Sequence, residues 1–433
     1  MSALASYFHR RGVKVSGYDK AGSVVTDTLE KEGIEIFYHA DIHHVSNKDL
    51  VIYTPAIPAD HAELLEVRRK GTPLYKRANA LGLVSKAFKT LAVAGTHGKT
   101  TTSIMLAHLL KSTGIDCTAF LGGISRNLNG NFVMGNSEWL VAEADEYDRS
   151  FLSLNPELAI VNSMDPDHLD IYGDQENFKA GFLQFASQCQ RLLVHNSLKK
   201  DFLEMNIESF GIGEGDFQAK NVKQEGLETS FDFFAYGEKL RKFRMPTVGD
   251  HNVDNMIAAL AAAWKVGGDI EDMAEAVAGY AGIYRRFEVK FNGENVSYID
   301  DYAHHPTELR AAILTAKSVF SDRKVLVVFQ PHLFSRTRDF AAGFTSALNL
   351  ADEVFLMDIY PAREEPIEGV KSGMLANGLK KQWRMVAKEE IPRHLAERIQ
   401  QKTIVLSLGA GDIDREIDSI LKCVIELDDK MNK

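Results

Sequence analysis

The stretch TLAVAGTHGKTTTSIMLAHLLKSTG, residues 90–114, decides the fold. An apolar β-type run ends at Ala94, Gly95-Thr96-His97-Gly98 turn the chain, and Lys99-Thr100-Thr101 open an apolar-periodic helix. Glycines let backbone N–H groups converge on phosphate oxygens, and a helix N-terminus adds partial positive charge. In such a loop the lysine reaches the β/γ-phosphates and the following hydroxyl ligates Mg2+. Residues 95–101 are therefore expected to cradle a nucleoside triphosphate, with Lys99 as the phosphate cation and Thr100 as a metal ligand. The spacing is tighter than the usual G-x-x-x-x-G-K-[ST], because Val93 occupies the first glycine position. An ordinary strand–helix turn is the bland alternative, and it does not require lysine and hydroxyl in that order.

Strand-like and helix-like segments alternate on both sides of this stretch, the pattern of α/β folds with mostly parallel sheets. Upstream, Val13–Gly17, Glu35–Phe37 and Leu50–Tyr53 read as short strands, TPAIPADH as a Pro-broken loop, and residues 62–88 as helical at both ends with a break at Gly71-Thr72-Pro73. Downstream, Trp139–Ala142, Ala159–Asn162 and Leu192–His195 read as strands, 211–245 as a small β-hairpin addition, and residues 251–268 as an alanine-rich helix. A last unit repeats the alternation with strands at Val296–Asp300, Val325–Phe329, Glu353–Met357 and Thr403–Leu408. Seams near 89 and 286 divide the chain into 1–88, 89–285 and 286–433, in keeping with roughly three domains for 433 residues.

Composition narrows the class. Hydrophobic (45%) and charged (25%) fractions are those of a globular protein, and no apolar run approaches the about 20 residues that span a membrane. Residues 1–20 are too polar for a signal peptide, which points to the cytoplasm. A net charge of −10 without a basic run argues against nucleic-acid binding through phosphates. Cys117, Cys189 and Cys423 lie far apart with no C-x-x-C, so packed or free thiols are expected rather than disulfides or zinc.

Acids follow the strands that flank the loop. WLVAEADEYDRSF ends a strand at Glu143 with Asp145, Glu146 and Asp148 behind it, and VNSMDPDHLDIYG places Asp165, Asp167, His168 and Asp170 after the next. Either cluster alone reads as a solvated loop; together, on successive strands after a phosphate loop, they suggest one or two hard divalent ions. In DDYAHHPTELRAAI, Asp300 and Asp301 end a strand, and His304, His305, Pro306, Thr307 and Glu308 lead into a helix, which capping alone also explains. FQPHLFSRTRDF delivers His332, Arg336 and Arg338 from another strand end, a set suited to holding a carboxylate. FGIGEGD (210–216) precedes no helix and reads as a solvent loop; LGAGDID (408–414) follows a strand but lacks a full fingerprint, and no nucleotide is assigned to it.

AGTHGKTTTS, EADEYDRSF, DPDHLDIYG, HNVDN, YRRF, DDYAHHPTE and FQPHLFSRTRDF occur in that order, and by these motifs the chain resembles the ATP-dependent Mur ligases. The GTHGKTTT and FQPH…SRTRD versions point to the member that adds L-alanine to UDP-N-acetylmuramate. The resemblance implies a Rossmann-like sugar-nucleotide domain, a central P-loop ATPase domain with a parallel sheet and a Rossmann-like amino-acid domain. It implies ATP and Mg2+, with Gly95, Thr96, His97, Gly98, Lys99, Thr100 and Thr101 at the nucleotide and Thr100, Glu143 and His168 at the metal. Lys99, Glu143 and His168 would be the catalytic set. Asn252 and Asn255 are implied as adenine or phosphate-side contacts, Arg286 and Asp301 as further nucleotide contacts, and His304 and Arg336 as L-alanine contacts. Leu333 stands where the family often has an arginine after QPH, and Leu183 stands where some members carry a modified lysine. The family places a G-x-G-G-x-G loop before a helix beginning MSALA, so the first domain is expected to lack its first strand and Gly loop; Asp19 would then lie near the uridine or be a plain turn acid. A sibling that attaches a tripeptide to the same sugar nucleotide, and an ATP-binding module without ligase chemistry, remain as alternatives.

Overall fold

A computed structural model describes residues 1–166, 169–362 and 364–432. The chain forms two compact units: residues 1–224 with 228–281, and residues 282–433 with 225–227. Among the described residues no helix is long and apolar enough to cross a membrane, and the three cysteines are free.

The first unit is organised around the strand Lys89–Ala94, all but its first residue buried. It pairs in parallel with Trp139–Glu143 on one side and Leu158–Val161 on the other. Thr118–Ser125 extends the sheet beyond Trp139–Glu143, and Arg191–His195 and Ile207–Ile212 extend it beyond Leu158–Val161, all in parallel. Burial on both faces explains why these strands read as unbroken apolar runs. Antiparallel pairing appears at both margins: Gly130–Val133 closes one edge, and Glu228–Ala235 pairs with Glu238–Met245 at the other. The sheet is therefore mixed and ten-stranded, not purely parallel, and residues 217–245 continue it rather than forming a separate hairpin. Helices Lys99–Ser112 and Asp250–Lys265 are buried along most of their length.

Before this sheet, four short parallel strands occur as two pairs, Ser16–Tyr18 with Glu35–Phe37 and Val51–Tyr53 with Leu74–Lys76. The first begins three residues later than expected, since Val13 is exposed and the chain is still leaving the helix Ser2–Arg10. Leu74–Lys76 directly follows the expected break at Gly71-Thr72-Pro73, in a stretch that read as helical; three residues, two of them exposed, carry too little alternation to be recognised. Tyr7 of the first helix packs on Phe120 and Phe132 of the main sheet at ring separations of 5.6 and 6.2 Å.

The second unit holds a six-stranded sheet ordered Glu288–Asn292, Val296–Asp301, Thr403–Leu408, Lys324–Phe329, Glu353–Leu356 and Gln382–Met385, parallel apart from its first strand. Apolar clusters cover both faces, one around Leu309, Phe329 and Phe344, the other around Tyr298, Phe355 and Ile420.

In the first unit, helix Arg77–Ser85 lies against the turn Tyr147–Ser153 at Gly82, where an added Cβ would overlap the Ser153 carbonyl oxygen. That neighbour is backbone and cannot rotate away. Gly82→Ala is expected to destabilise the first unit by about 1–3 kcal/mol, read as a lowered midpoint in denaturant unfolding; an unchanged midpoint would show that the helix shifts freely.

Candidate active site

The loop after Lys89–Ala94 is held by its neighbour strand. Thr96 N–H donates to the Ser163 carbonyl (3.2 Å), His97 N–H to the Ser163 hydroxyl (2.8 Å), and the Thr96 hydroxyl to the Asp165 carbonyl (2.7 Å). Gly98 adopts φ +78° at the helix N-cap, and a Cβ there would overlap the Asn255 side-chain oxygen and crowd Asn162. Beneath it lies a polar cluster: the Thr102 hydroxyl donates to Asn255 Oδ1 (3.1 Å), and Asn162 Nδ2 donates to the Thr102 hydroxyl (2.9 Å). Asn255 therefore supports the loop from below. Asn252 is bound locally, its amide donating to the Val248 carbonyl (2.8 Å). Neither Asn162 nor Thr102 stands out in sequence; their roles exist through partners 60 and 153 positions away.

Lys99 and Thr100 leave the helix start toward the acids of EADEYD. The Thr100 hydroxyl donates to Glu143 Oε2 at 2.8 Å. Lys99 Nζ donates to the Gly95 carbonyl (2.7 Å) and to Glu146 (2.9 Å). Burial works to lower the Lys99 pKa, but the carboxylates of Glu146, Glu143 and Asp145 outweigh it and hold the ammonium above the usual lysine range. Four acids that read as one crowd thus separate by partner. Glu143 faces the threonine, Glu146 takes the lysine, Asp148 pairs with Lys76 (2.8 Å), and Asp145 lies 3.7 Å from Arg77. Glu146 is fixed by Tyr172, whose hydroxyl donates to its backbone carbonyl (2.7 Å). In the second cluster Asp165 lies 3.6 Å from His97. Asp167 and His168 lie outside the described residues, so the expected third metal ligand is not placed.

Gly122, on Thr118–Ser125, is a site residue that the sequence does not announce. A Cβ there would overlap the Glu143 carboxylate. Its signal is a glycine inside a strand, which marks close approach of another group.

The second unit gathers the remaining residues at the ends of its parallel strands. In YRRF the two arginines part. Arg285 is buried, donating to Asp300 (2.8 Å) and to the Gly409 carbonyl (2.7 Å), while Arg286 lies 3.9 Å from Glu308 and over the Tyr302 ring. Asp301 accepts the N–H groups of Phe287 (2.6 Å) and Ala303 (2.7 Å). Burial pushes its carboxyl up to about 6, against the pull of Arg286. His304 lies against Glu308 (3.4 Å) and stacks edge-on to His332; burial lowers its pKa, and Arg336 adds to the lowering. His304, Arg286 and Arg336 therefore share one electrostatic neighbourhood. Gln330 of FQPH is a further residue not singled out in sequence: its amide donates to Asp412 (2.7 Å) and its carbonyl accepts Ile413 N–H (2.9 Å). LGAGDID accordingly serves as a partner for Gln330 and Arg285.

Known proteins match nearly the whole chain. Residues 1–89 match the family model described as "Mur ligase family, catalytic domain", residues 93–263 the "Mur ligase middle domain", and residues 285–411 "Mur ligase, glutamate ligase domain". The UDP-N-acetylmuramate–L-alanine ligase of Christiangramia forsetii is 43% identical over 98% of this chain and 95% of its own. That of Cytophaga hutchinsonii is 44% identical over 97% of this chain and 93% of its own. Among solved structures, the UDP-N-acetylmuramate-alanine ligase of Thermotoga maritima gives a TM-score of 0.85 at 29% identity, covering 99% of this chain and 97% of that one. A murein peptide ligase from Psychrobacter arcticus shares the fold, with a TM-score of 0.72 at 22% identity over 98% and 96% of the two chains. The chain belongs to the Mur ligase family.

Proposed function

We propose that the chain is an ATP-dependent, ADP-forming ligase that joins L-alanine to the lactyl carboxylate of UDP-N-acetylmuramate, a cytoplasmic step in peptidoglycan precursor synthesis. The observation that carries the chemistry is the grouping of Lys99, Thr100 and Glu143 where three adjacent parallel strands end. Relatives named for this substrate pair, similar over nearly the full length of the chain, support the choice of substrates.

The donor set fits a hard divalent ion. A hydroxyl and a carboxylate oxygen already meet at 2.8 Å, and the missing Cβ of Gly122 leaves the carboxylate a cradle that a methyl group would fill. Mg2+ would be held by Thr100 and Glu143, with His168 as the third residue that the family resemblance supplies. When bound, the ion neutralises charge that builds on the transferring phosphoryl group.

The chain's own groups act around that transfer. The loop 95–98 and the start of the helix receive the phosphates, and Lys99 exchanges its Glu146 partner for phosphate oxygens. The muramyl carboxylate attacks the γ-phosphorus, giving an acyl phosphate and ADP. The amine of L-alanine then attacks the acyl carbonyl, and the tetrahedral intermediate expels phosphate. In the second unit Arg336 supplies a guanidinium for the alanine carboxylate, and His304, whose pKa burial lowers, supplies a neutral imidazole as a second hydrogen-bonding contact to L-alanine. Residues 1–88 would hold the sugar nucleotide, 89–285 the ATP and 286–433 the amino acid, with Asn255, Arg286 and Asp301 on the nucleotide side.

An ADP-release assay decides the substrate: turnover should follow L-alanine, and preference for a preformed tripeptide would overturn the assignment. Lys99→Ala should lower turnover by about 10²–10³-fold. His304→Ala and Arg336→Ala should abolish L-alanine-dependent ADP release while leaving ATP binding intact.

Glu146→Gln removes the carboxylate that pairs directly with the buried Lys99 ammonium and leaves only the more distant Glu143 and Asp145 charges, a loss of up to about 3–5 kcal/mol for a buried pair. The nucleotide-free protein should melt earlier, and ATP, by restoring negative charge, should raise the melting temperature more in the variant than in the parent. Equal increments in thermal-shift measurements would show that Lys99 does not depend on Glu146.

A further inference from the structure

The segment Phe37-Tyr38-His39-Ala40-Asp41-Ile42-His43-His44 has no part in the chemistry above, yet it gathers metal-ligating side chains. His39, Asp41 and His44 each offer one ligand atom, and these atoms lie within 4.8 Å of one another. The segment leaves the carboxyl end of the strand Glu35–Phe37, the edge at which open α/β sheets bind ligands.

Two members of the group are already positioned. The His44 ring stacks on Phe37 with centroids 3.6 Å apart and planes 7° from parallel, and its Nδ1 lies 3.2 Å from Glu63 Oε1. Glu63 is buried, and the same oxygen accepts the Asp41 backbone N–H at 3.0 Å. A carboxylate on one imidazole nitrogen is the arrangement that orients a metal-bound histidine through its other nitrogen. Asp41 caps the turn Ile42–His44 through Oδ1, which accepts His43 N–H at 2.9 Å. Capping accounts for Asp41 and stacking for His44. Neither accounts for His39, an exposed ring set edge-on to His44 at 5.1 Å.

We propose that His39, Asp41 and His44 form a binding site for a borderline divalent ion, Zn2+ in the first instance, with Glu63 as the positioning residue behind His44. Two imidazoles and one carboxylate with an open fourth position are a zinc-type donor set, unlike the oxygen set of Thr100 and Glu143. Zinc–ligand distances are about 2.0–2.2 Å, and the exposed His39 can adjust to them by rotation about its side-chain bonds. The bound ion would tie the loop after Glu35–Phe37 into a closed ring.

The test uses the full chain, stripped of metal and held in excess Mg2+ so that the hard-ion site is saturated, then titrated with Zn2+ against a chromophoric chelator. The parent should take up one Zn2+ whose affinity falls at least about tenfold in His39→Ala and again in His39→Ala/His44→Ala, with Glu63→Gln weakening it about 10–100-fold. Co2+ should give a visible d–d band that the double variant lacks. His39 is exposed, so His39→Ala keeps the test valid even where the changes at His44 or Glu63 disturb folding. Failure of the parent to take up Zn2+, or equal uptake and affinity in parent and His39→Ala, would overturn the site. Neither result bears on ligase turnover.

Discussion

Everything in the first unit's site depends on one close approach, the passage of Gly98 over Asn255 and Asn162. No side chain fits there, and the left-handed φ of that residue would strain any other. The turn can therefore be tight, the helix can start immediately, and Lys99 and Thr100 emerge facing the ends of the flanking strands. Parallel pairing supplies the other half of the constraint. Glu143 ends the strand paired with one side of Lys89–Ala94, and Ser163 and Asp165 follow the strand paired with the other. Register thus delivers the carboxylate on one flank and the loop's backbone anchors on the other.

Electrostatics follows from that placement. The acids of EADEYD sit in a short run that would repel itself, yet each has a separate cationic or hydroxyl partner. The Lys99–Glu146 pair keeps a buried ammonium neutralised without any ligand, so the loop is preformed with its cation in place. Arg285 and Asp300 perform a comparable service in the second unit, where a buried guanidinium ties a strand end to the Gly409 turn. The Arg285–Asp300 pair maintains geometry, and the residues proposed for the nucleotide side, Arg286 and Asp301, are its immediate neighbours in sequence, whereas Lys99 is itself proposed to leave Glu146 for the phosphates.

That adjacency explains what was legible in the sequence. The phosphate loop was legible because strand, glycines, lysine and helix are local and their order is itself the signal. The long buried strands were legible because burial on both faces produces continuous apolar runs. Leu74–Lys76 and Gln382–Met385 were not, since short strands with exposed residues carry neither alternation nor an apolar run. Which acid of EADEYD meets threonine and which meets lysine depends on partners far along the chain, as does which arginine of YRRF is buried. Gly122 and Gln330 escaped for the same reason, because their importance lies in what approaches them and not in their neighbours.

Leu333 shows how the fold absorbs a departure from the family pattern. It occupies φ +69° and ψ 137°, a sparsely populated conformation that costs an ordinary residue about 1–3 kcal/mol. Its side chain is buried, its N–H donates to the Tyr360 carbonyl (3.0 Å), and its carbonyl accepts the Thr337 hydroxyl (2.7 Å). A side chain turned inward is not available to a ligand, so position 333 contributes through its backbone. The turn starts the helix Phe334–Asp339 abruptly and thereby sets where Arg336 leaves it. Strain held in this way is characteristic of sites where direction matters more than stability. An amino acid as small as alanine presents little beyond its charged ends, and under the proposed assignment the Arg336 guanidinium suffices for its carboxylate without a second arginine at 333.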